Sequence, residues 1–236
     1  MRLVALTPAH VGSKEIVRRQ ARYLGFAGER LAITVRDQPD RPDIPHSFDT
    51  PELVASADRC VLEQAAALDL LPGDVVVPDC VLDTALEGIE ARGMPAQGIM
   101  RLTVSMLDGL GLTFGAVARN RAIGNALDAR IRGYDHSGRY VGVAVMDLPS
   151  EAVADTPRWN AALAAHVTEL AGCGAQAVIN GCSAVDVAAG PFAATVLDPT
   201  QLMVRSLALA SDLGLLDTLV SDAHAHQDTT HLGGTR

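Results

Sequence analysis

Two of the four cysteines in this chain occupy the same local setting. Cys80 ends the run Asp74-Val75-Val76-Val77-Pro78-Asp79-Cys80, and Cys182 ends Ala177-Val178-Ile179-Asn180-Gly181-Cys182. In each, a short β-branched stretch that reads as a buried parallel strand gives way to two small or polar residues and then a thiol. An acid follows, Asp83 or Asp186, and with it a stretch compatible with a helix. A thiol at such a turn lies near the positive end of a helix dipole, which favours the thiolate. One thiol from each half of the chain is what a proton donor and a proton acceptor facing one substrate require. Cys60 and Cys173 fall in Ala- and Leu-rich helical stretches and read as core residues.

The elements that must position these thiols alternate from the first residues. Strand patterns fall near 3–6, 30–35, 75–77, 112–118, 140–146, 177–179 and 194–197. Helical patterns fall near 14–24, 51–70, 83–92, 102–110, 120–131, 160–173 and 200–213, with Thr50-Pro51-Glu52 a helix start carrying proline in its first turn. This alternation predicts an α/β fold: two similar parallel-sheet lobes with the site in the cleft between them. The lobes are expected at 1–98 and 99–199. The closing helix at 200–220 is expected to pack back on the first lobe. The loop from Asp37 to Pro51, with four prolines, is long for a compact domain and is expected to border a site. The segment 221–236 is expected to be a disordered tail, so its His224, His226 and His231 are not read as a metal site.

Composition narrows the classes. A net charge of −9 over 236 residues, with no Lys/Arg block, argues against nucleic acid or anionic membranes as partners. No apolar run approaches the roughly 20 residues of a membrane helix, and no secretory signal opens the chain. The expected setting is therefore cytoplasmic and reducing, with free thiols. Lys14 is the only lysine. Pyridoxal-phosphate chemistry would need it as the Schiff base, yet Gly12-Ser13-Lys14-Glu15 offers no phosphate loop. No cofactor is expected.

The two cysteine segments resemble those of the aspartate/glutamate/hydantoin racemase superfamily, and its hydantoin-racemase-like members most. There a first motif reads Cys-Phe-Gly-Asp-Pro-Gly-Leu; here Cys80-Val81-Leu82-Asp83-Thr84-Ala85-Leu86 keeps the cysteine, the aspartate and the last leucine. A second motif, Leu-Gly-Cys-Ala-Gly-Met, is matched at its Gly-Cys core by Asn180-Gly181-Cys182-Ser183-Ala184-Val185. Met94 to Ile99 and Val196-Leu197-Asp198 are similar to two further family segments, so the likeness extends to about Leu215. It implies a racemase or epimerase without cofactor, a small-molecule substrate and a homo-oligomer. Cys80 and Cys182 would be catalytic. Thr7, Pro8, His10, Val81, Leu82, Asp83, Thr84, Ala118, Arg119, Gly181, Ser183 and Ala184 would contact substrate.

The departures bear on the substrate. The family's opening Asn-Pro-Asn-Thr is Thr7-Pro8-Ala9-His10 here, and where relatives often carry Thr-Thr this chain has Ala118-Arg119. Arg119 or Arg121 could hold a carboxylate through two parallel bonds, or sit exposed at a helix start. Asp83 and Asp186 are read first as helix caps. Two other functions stay open. One is cis-trans isomerisation of a maleate-like diacid by cysteine addition. The other is an inactive small-molecule-binding or redox-sensing module, which would need Cα atoms within about 7 Å for a disulfide.

Overall fold

The computed structural model describes residues 2–215. The tail expected at 221–236, with its histidines, and the closing helix beyond 215 lie outside the described residues. Two parallel sheets form. The first has the order β2-β1-β3, from β1 (Arg2–Leu6), β2 (Ala32–Arg36) and β3 (Asp74–Pro78). The second has the order β5-β4-β6-β7, from β4 (Phe114–Ala118), β5 (Tyr140–Val145), β6 (Ala177–Asn180) and β7 (Thr195–Leu197). Strands β3, β4 and β6 are buried along their whole length. Their near-continuous apolar character follows from that, because helices cover both faces of a parallel sheet.

The helices are α1 (Ser13–Ala27), α2 (Pro51–Ala66), α3 (Leu86–Glu90), α4 (Ile99–Gly109), α5 (Arg121–Tyr134), α6 (Thr156–Gly172) and α7 (Pro199–Asp212). Short polar side chains start four of them. Thr50, Asn120, Asp155 and Asp198 accept from the backbone N–H groups of Leu53, Ile123, Arg158 and Gln201, satisfying donors that a helix start leaves unpaired. Helix α7 shares one core with β1, α1 and Ile99 of α4 through Met203, Val204, Leu207 and Ala208. The remaining face of α4 packs Met100, Val104 and Leu107 into the core of the second sheet, so α4 belongs to both halves.

Three expectations need correction. No helix follows Cys182; an irregular segment runs from there to β7. The helix expected over 83–92 is only α3, preceded by a turn in which Asp83 and Ala85 have φ of 48° and 60°. Left-handed backbone at alanine is strained, and a continuous helix through these residues is excluded by it. Finally, Cys173 is exposed at the end of α6, whereas Cys60 is buried.

Candidate active site

The carboxyl ends of the strands in both sheets converge on one cavity of about 900 Å³, the edge at which open α/β sheets take ligands. Cys80 and Cys182 both line it. Pro8, His10, Val81, Leu82, Arg119, Gly181, Ser183 and Ala184 line it as well. Thr7, Asp83, Thr84 and Ala118 do not. Thr7 is fully buried and its hydroxyl donates to the Ala9 carbonyl at 2.9 Å, so it shapes the loop instead. Ala118 is sealed at the end of β4, its carbonyl taken by the Met146 N–H.

The turn after β3 is built around Cys80. Asp79 donates its N–H to the Leu6 carbonyl at 2.8 Å, tying the turn to β1. The Leu82 N–H and the Thr84 hydroxyl lie beside the Cys80 sulfur and oppose the effect of its burial. That hydroxyl is buried and makes no hydrogen bond among the described residues. Asp83 lies behind the turn and accepts the N–H groups of Met100 at 2.9 Å and Arg101 at 2.8 Å. It is therefore a cap, but of α4, reached across the fold. Gly98 permits this approach, since a Cβ there would stand 2.4 Å from the Asp83 carboxylate.

The turn after β6 presents Cys182. Gly181 donates to the Val117 carbonyl at 2.8 Å, and a Cβ on it would lie 2.1 Å from that same oxygen. Only glycine lets β6 end this close to β4. Asn180 is buried; its amide donates to the Cys182 and Val185 carbonyls at 3.1 and 3.2 Å, and its oxygen accepts from Trp159 at 3.0 Å. The Ala184 N–H serves the Cys182 sulfur. Asp186 caps nothing; it pairs with Arg22 at 2.6 Å.

Helix dipoles do not bring these thiols down, contrary to expectation, because no helix starts at either sulfur. Burial pushes Cys80 up to about 12, with Thr84 and Leu82 opposing. Burial also raises Cys182, but there Ala184, Arg19 and Arg22 oppose it. Cationic neighbours therefore favour the thiolate at Cys182. The Val81 and Ser183 backbone N–H groups, one directly after each thiol, have no acceptor among the described residues. Both residues are buried, and an unpaired buried donor calls for a reason.

The loop 37–50 closes one side of the cavity with His46, Ser47 and Phe48. It is strapped to the second sheet: Asp49 pairs with Arg119 at 2.7 Å, and the Asn120 amide donates to the Phe48 carbonyl at 2.8 Å. Arg119 is thus a buried, cavity-lining residue with an acidic partner, while Arg121 is the exposed first residue of α5. His10 bonds the Gln38 carbonyl at 2.8 Å through Nδ1 and meets His46 edge to face. That carbonyl first, and Asp37 after it, raise the His10 pKa. Lys14 lines the cavity and forms no ion pair among the described residues.

Residues missed from the sequence are Phe48, Ile123 and Trp159 of the apolar wall, and Arg18 and Arg19 of α1. The only signal for the latter is the spacing of Glu15, Arg18, Arg19 and Arg22, which puts charge on one face of a helix beside the opening loop.

A model of the family described as Asp/Glu/Hydantoin racemase matches residues 6–207. The chain belongs to this family and is an isomerase of the racemase type. No curated protein sequence matches it. Among solved structures, an allantoin racemase from Pseudomonas fluorescens is similar at 16% identity and a TM-score of 0.75, covering 91% of this chain and 92% of that one. An allantoin racemase from Klebsiella pneumoniae is similar at 18% identity and a TM-score of 0.68, over 91% and 89%. A glutamate racemase isoform from Bacillus anthracis gives 14% identity and a TM-score of 0.60, over 91% and 83%. At such identities the likeness speaks for the fold. Among the described residues no helix is long and apolar enough to cross a membrane.

Proposed function

We propose that this family member is a cofactor-independent racemase or epimerase that moves a proton at a carbon next to a carbonyl, with Cys182 and Cys80 as the two acid–base groups. The supporting observation is one cavity lined by both thiols, each followed by an unpaired buried N–H. Burial raises both thiols, so both are protonated at rest and the reaction runs from the form in which one proton has left. In that form Cys182, beside Arg19 and Arg22, carries the negative charge, and Cys80 is the thiol. The Cys182 thiolate takes the α-proton and leaves an enolate. Cys80 then protonates the other face and becomes the thiolate, and a proton passing from Cys182 back to Cys80 resets the pair. In the opposite direction the roles reverse.

The carbon acid is weak, so donors fixed in advance must stabilise the enolate oxygen. The Val81 and Ser183 N–H groups are suited to this, since Leu82 and Ala184 already serve the sulfurs. The Ser183 hydroxyl is not free for it; it donates to the Asp79 carbonyl. The substrate class is a hydantoin, an amino acid or a related acid. The charge of Arg119 is answered by Asp49, which favours a neutral carbonyl compound over a diacid.

A panel of chiral hydantoins, amino acids and related acids, incubated in heavy water, tests the reading by α-deuteration and loss of optical rotation. Cys80→Ser and Cys182→Ser are each expected to abolish racemisation while sparing exchange from one enantiomer. Full racemisation by both single variants would end the two-thiol reading. A covalent adduct on one cysteine, seen by mass spectrometry with an unsaturated diacid, would favour addition instead.

A further inference from the structure

Helix α1 grips both cysteine turns with neighbouring arginines. Arg19 pairs with Asp79, the residue before Cys80, at 2.7 Å, and Tyr23 donates to the same buried carboxylate at 2.8 Å. Arg18 donates to the Ala184 carbonyl at 2.5 Å. Arg22 donates to the carbonyls of Ser183 and, at 3.3 Å, Val185. Three consecutive carbonyls after Cys182 are therefore held by a helix that belongs to the other sheet. The same Arg22 guanidinium pairs with Asp186 at 2.6 Å and with Asp198 at the start of α7. Its side chain is 5% exposed.

A generic tie between the lobes would need only one such contact, at any place. Here the acceptors are the backbone oxygens of the thiol's own turn. Fixing the Ser183 oxygen toward α1 fixes the peptide plane it shares with the Ala184 N–H that serves the sulfur, while the preceding plane, with the unpaired Ser183 N–H, is held by Asn180 through the Cys182 carbonyl. Arginine suits this because its planar fork satisfies several acceptors at set angles, which a lysine ammonium does not.

We propose that α1 fixes the position of the Cys182 thiol relative to Cys80, with Arg22 as the positioning residue. The catalytic consequence rests on the two-thiol reading, but the position of the thiol can be read without turnover. The charged and titratable groups facing Cys182 are Arg19 and Arg22 from α1, Asp79 at the end of β3, and Cys80 across the cavity. Replacing the fork by a single ammonium keeps a positive charge but cannot hold these acceptors together, so it loosens the turn and displaces the donor at the sulfur.

The test uses the full chain and iodoacetamide, with the alkylation rate of each cysteine followed by peptide mass spectrometry across pH, alongside hydrogen exchange of residues 183–186. In Arg22→Lys the alkylation curve of Cys182 is expected to move up by about half a pH unit or more, with faster exchange at 183–186 and a smaller displacement for Cys80. An unmoved Cys182 curve in folded Arg22→Lys, or equal displacement of both thiols, overturns the proposal. Should Arg22→Lys fail to fold, Arg18→Gln reads the same turn from a half-exposed side chain. It releases the Ala184 carbonyl but also frees Glu15 and removes a charge near Asp186, so there hydrogen exchange at 183–186 is the readout: faster exchange is expected, and unchanged exchange overturns the proposal. Full racemisation by both Cys80→Ser and Cys182→Ser would remove the two-thiol reading, whereas the role of α1 stands or falls on the alkylation curves and the exchange at 183–186.

Discussion

The Ser183 hydroxyl donates to the Asp79 carbonyl at 3.0 Å, so the residue after one thiol is bonded to the residue before the other. The two cysteine turns thus touch directly as well as through α1. Ser183→Ala removes this bond and is expected to cost about 1 kcal/mol in urea unfolding, the net value of one buried hydrogen bond. Loss of alignment is expected to slow racemisation more than stability, by roughly tenfold, since small misplacements of reacting groups are expensive. An unchanged turnover with the stability loss present would show that the contact is structural only.

Gly181 is the backbone position on which the second turn depends. A methyl there meets the Val117 carbonyl at 2.1 Å, so either β6 or the Cys182 turn must shift. Gly181→Ala is expected to lose about 2–4 kcal/mol and to be inactive even when purified in folded form. Gly25 in α1 is the contrast. Nothing lies within 4 Å of a Cβ built there, so Gly25→Ala is expected to gain about 0.5–1 kcal/mol from helix propensity. Thermal unfolding of the pair separates steric need from mere glycine content; equal behaviour would refute the assignment.

What is legible in the chain and what is not follows one physical division. Buried strands announce themselves, because β3, β4 and β6 are short β-branched or small apolar runs with no other use for such a pattern. Helix starts at Thr50 and Asn120 are legible for a similar reason, a capping side chain being a local bond. The turns after Cys80 and Cys182 read as helix starts, and neither is one. Asp83 and Asp186 look like local caps in the sequence, yet each finds its partners far along the chain, at Met100 and Arg101 or at Arg22. Long-range pairing of this kind leaves no periodic trace. The same holds for Phe48 and Trp159, which reach the cavity only once the 37–50 loop and α6 are folded against it.

Asp83 gives a pH dependence whose sign is fixed. Burial raises its carboxyl from 3.8 to about 6, although the Met100 and Arg101 N–H groups and then Arg130 pull the other way. The folded state therefore holds a proton that the unfolded chain releases between about pH 4 and 6. Stability from this group is complete below about pH 4 and is lost as pH rises through 6, by about 3 kcal/mol. Asp83→Asn lacks the titration. The stability of the native protein minus that of Asp83→Asn is expected to fall across this window in urea titrations at pH 4, 5, 6 and 7. A difference that stays level with pH would contradict the raised carboxyl.

Asp49 decides how the cavity treats anions. It faces Arg119 at 2.7 Å from the loop 37–50 and is held below the usual carboxylate range by the Ser47 hydroxyl and then by Arg119 itself. At neutral pH the pair is therefore ionised, and the arginine shows little net charge to the cavity. Asp49→Asn keeps the loop's shape and its polar contact but unmasks the guanidinium. Malonate, a small dianion, is expected to bind this variant about fivefold tighter than the native protein, a change of about 1 kcal/mol for one partly solvated charge. Trp159 lines the same cavity and is the only tryptophan, so its fluorescence reports the binding. Arg119→Met should abolish the gain in the Asp49→Asn background, because the attraction runs through that guanidinium. Tighter malonate binding that survives Arg119→Met would assign the effect to another cation, with Lys14 at the rim the first to replace.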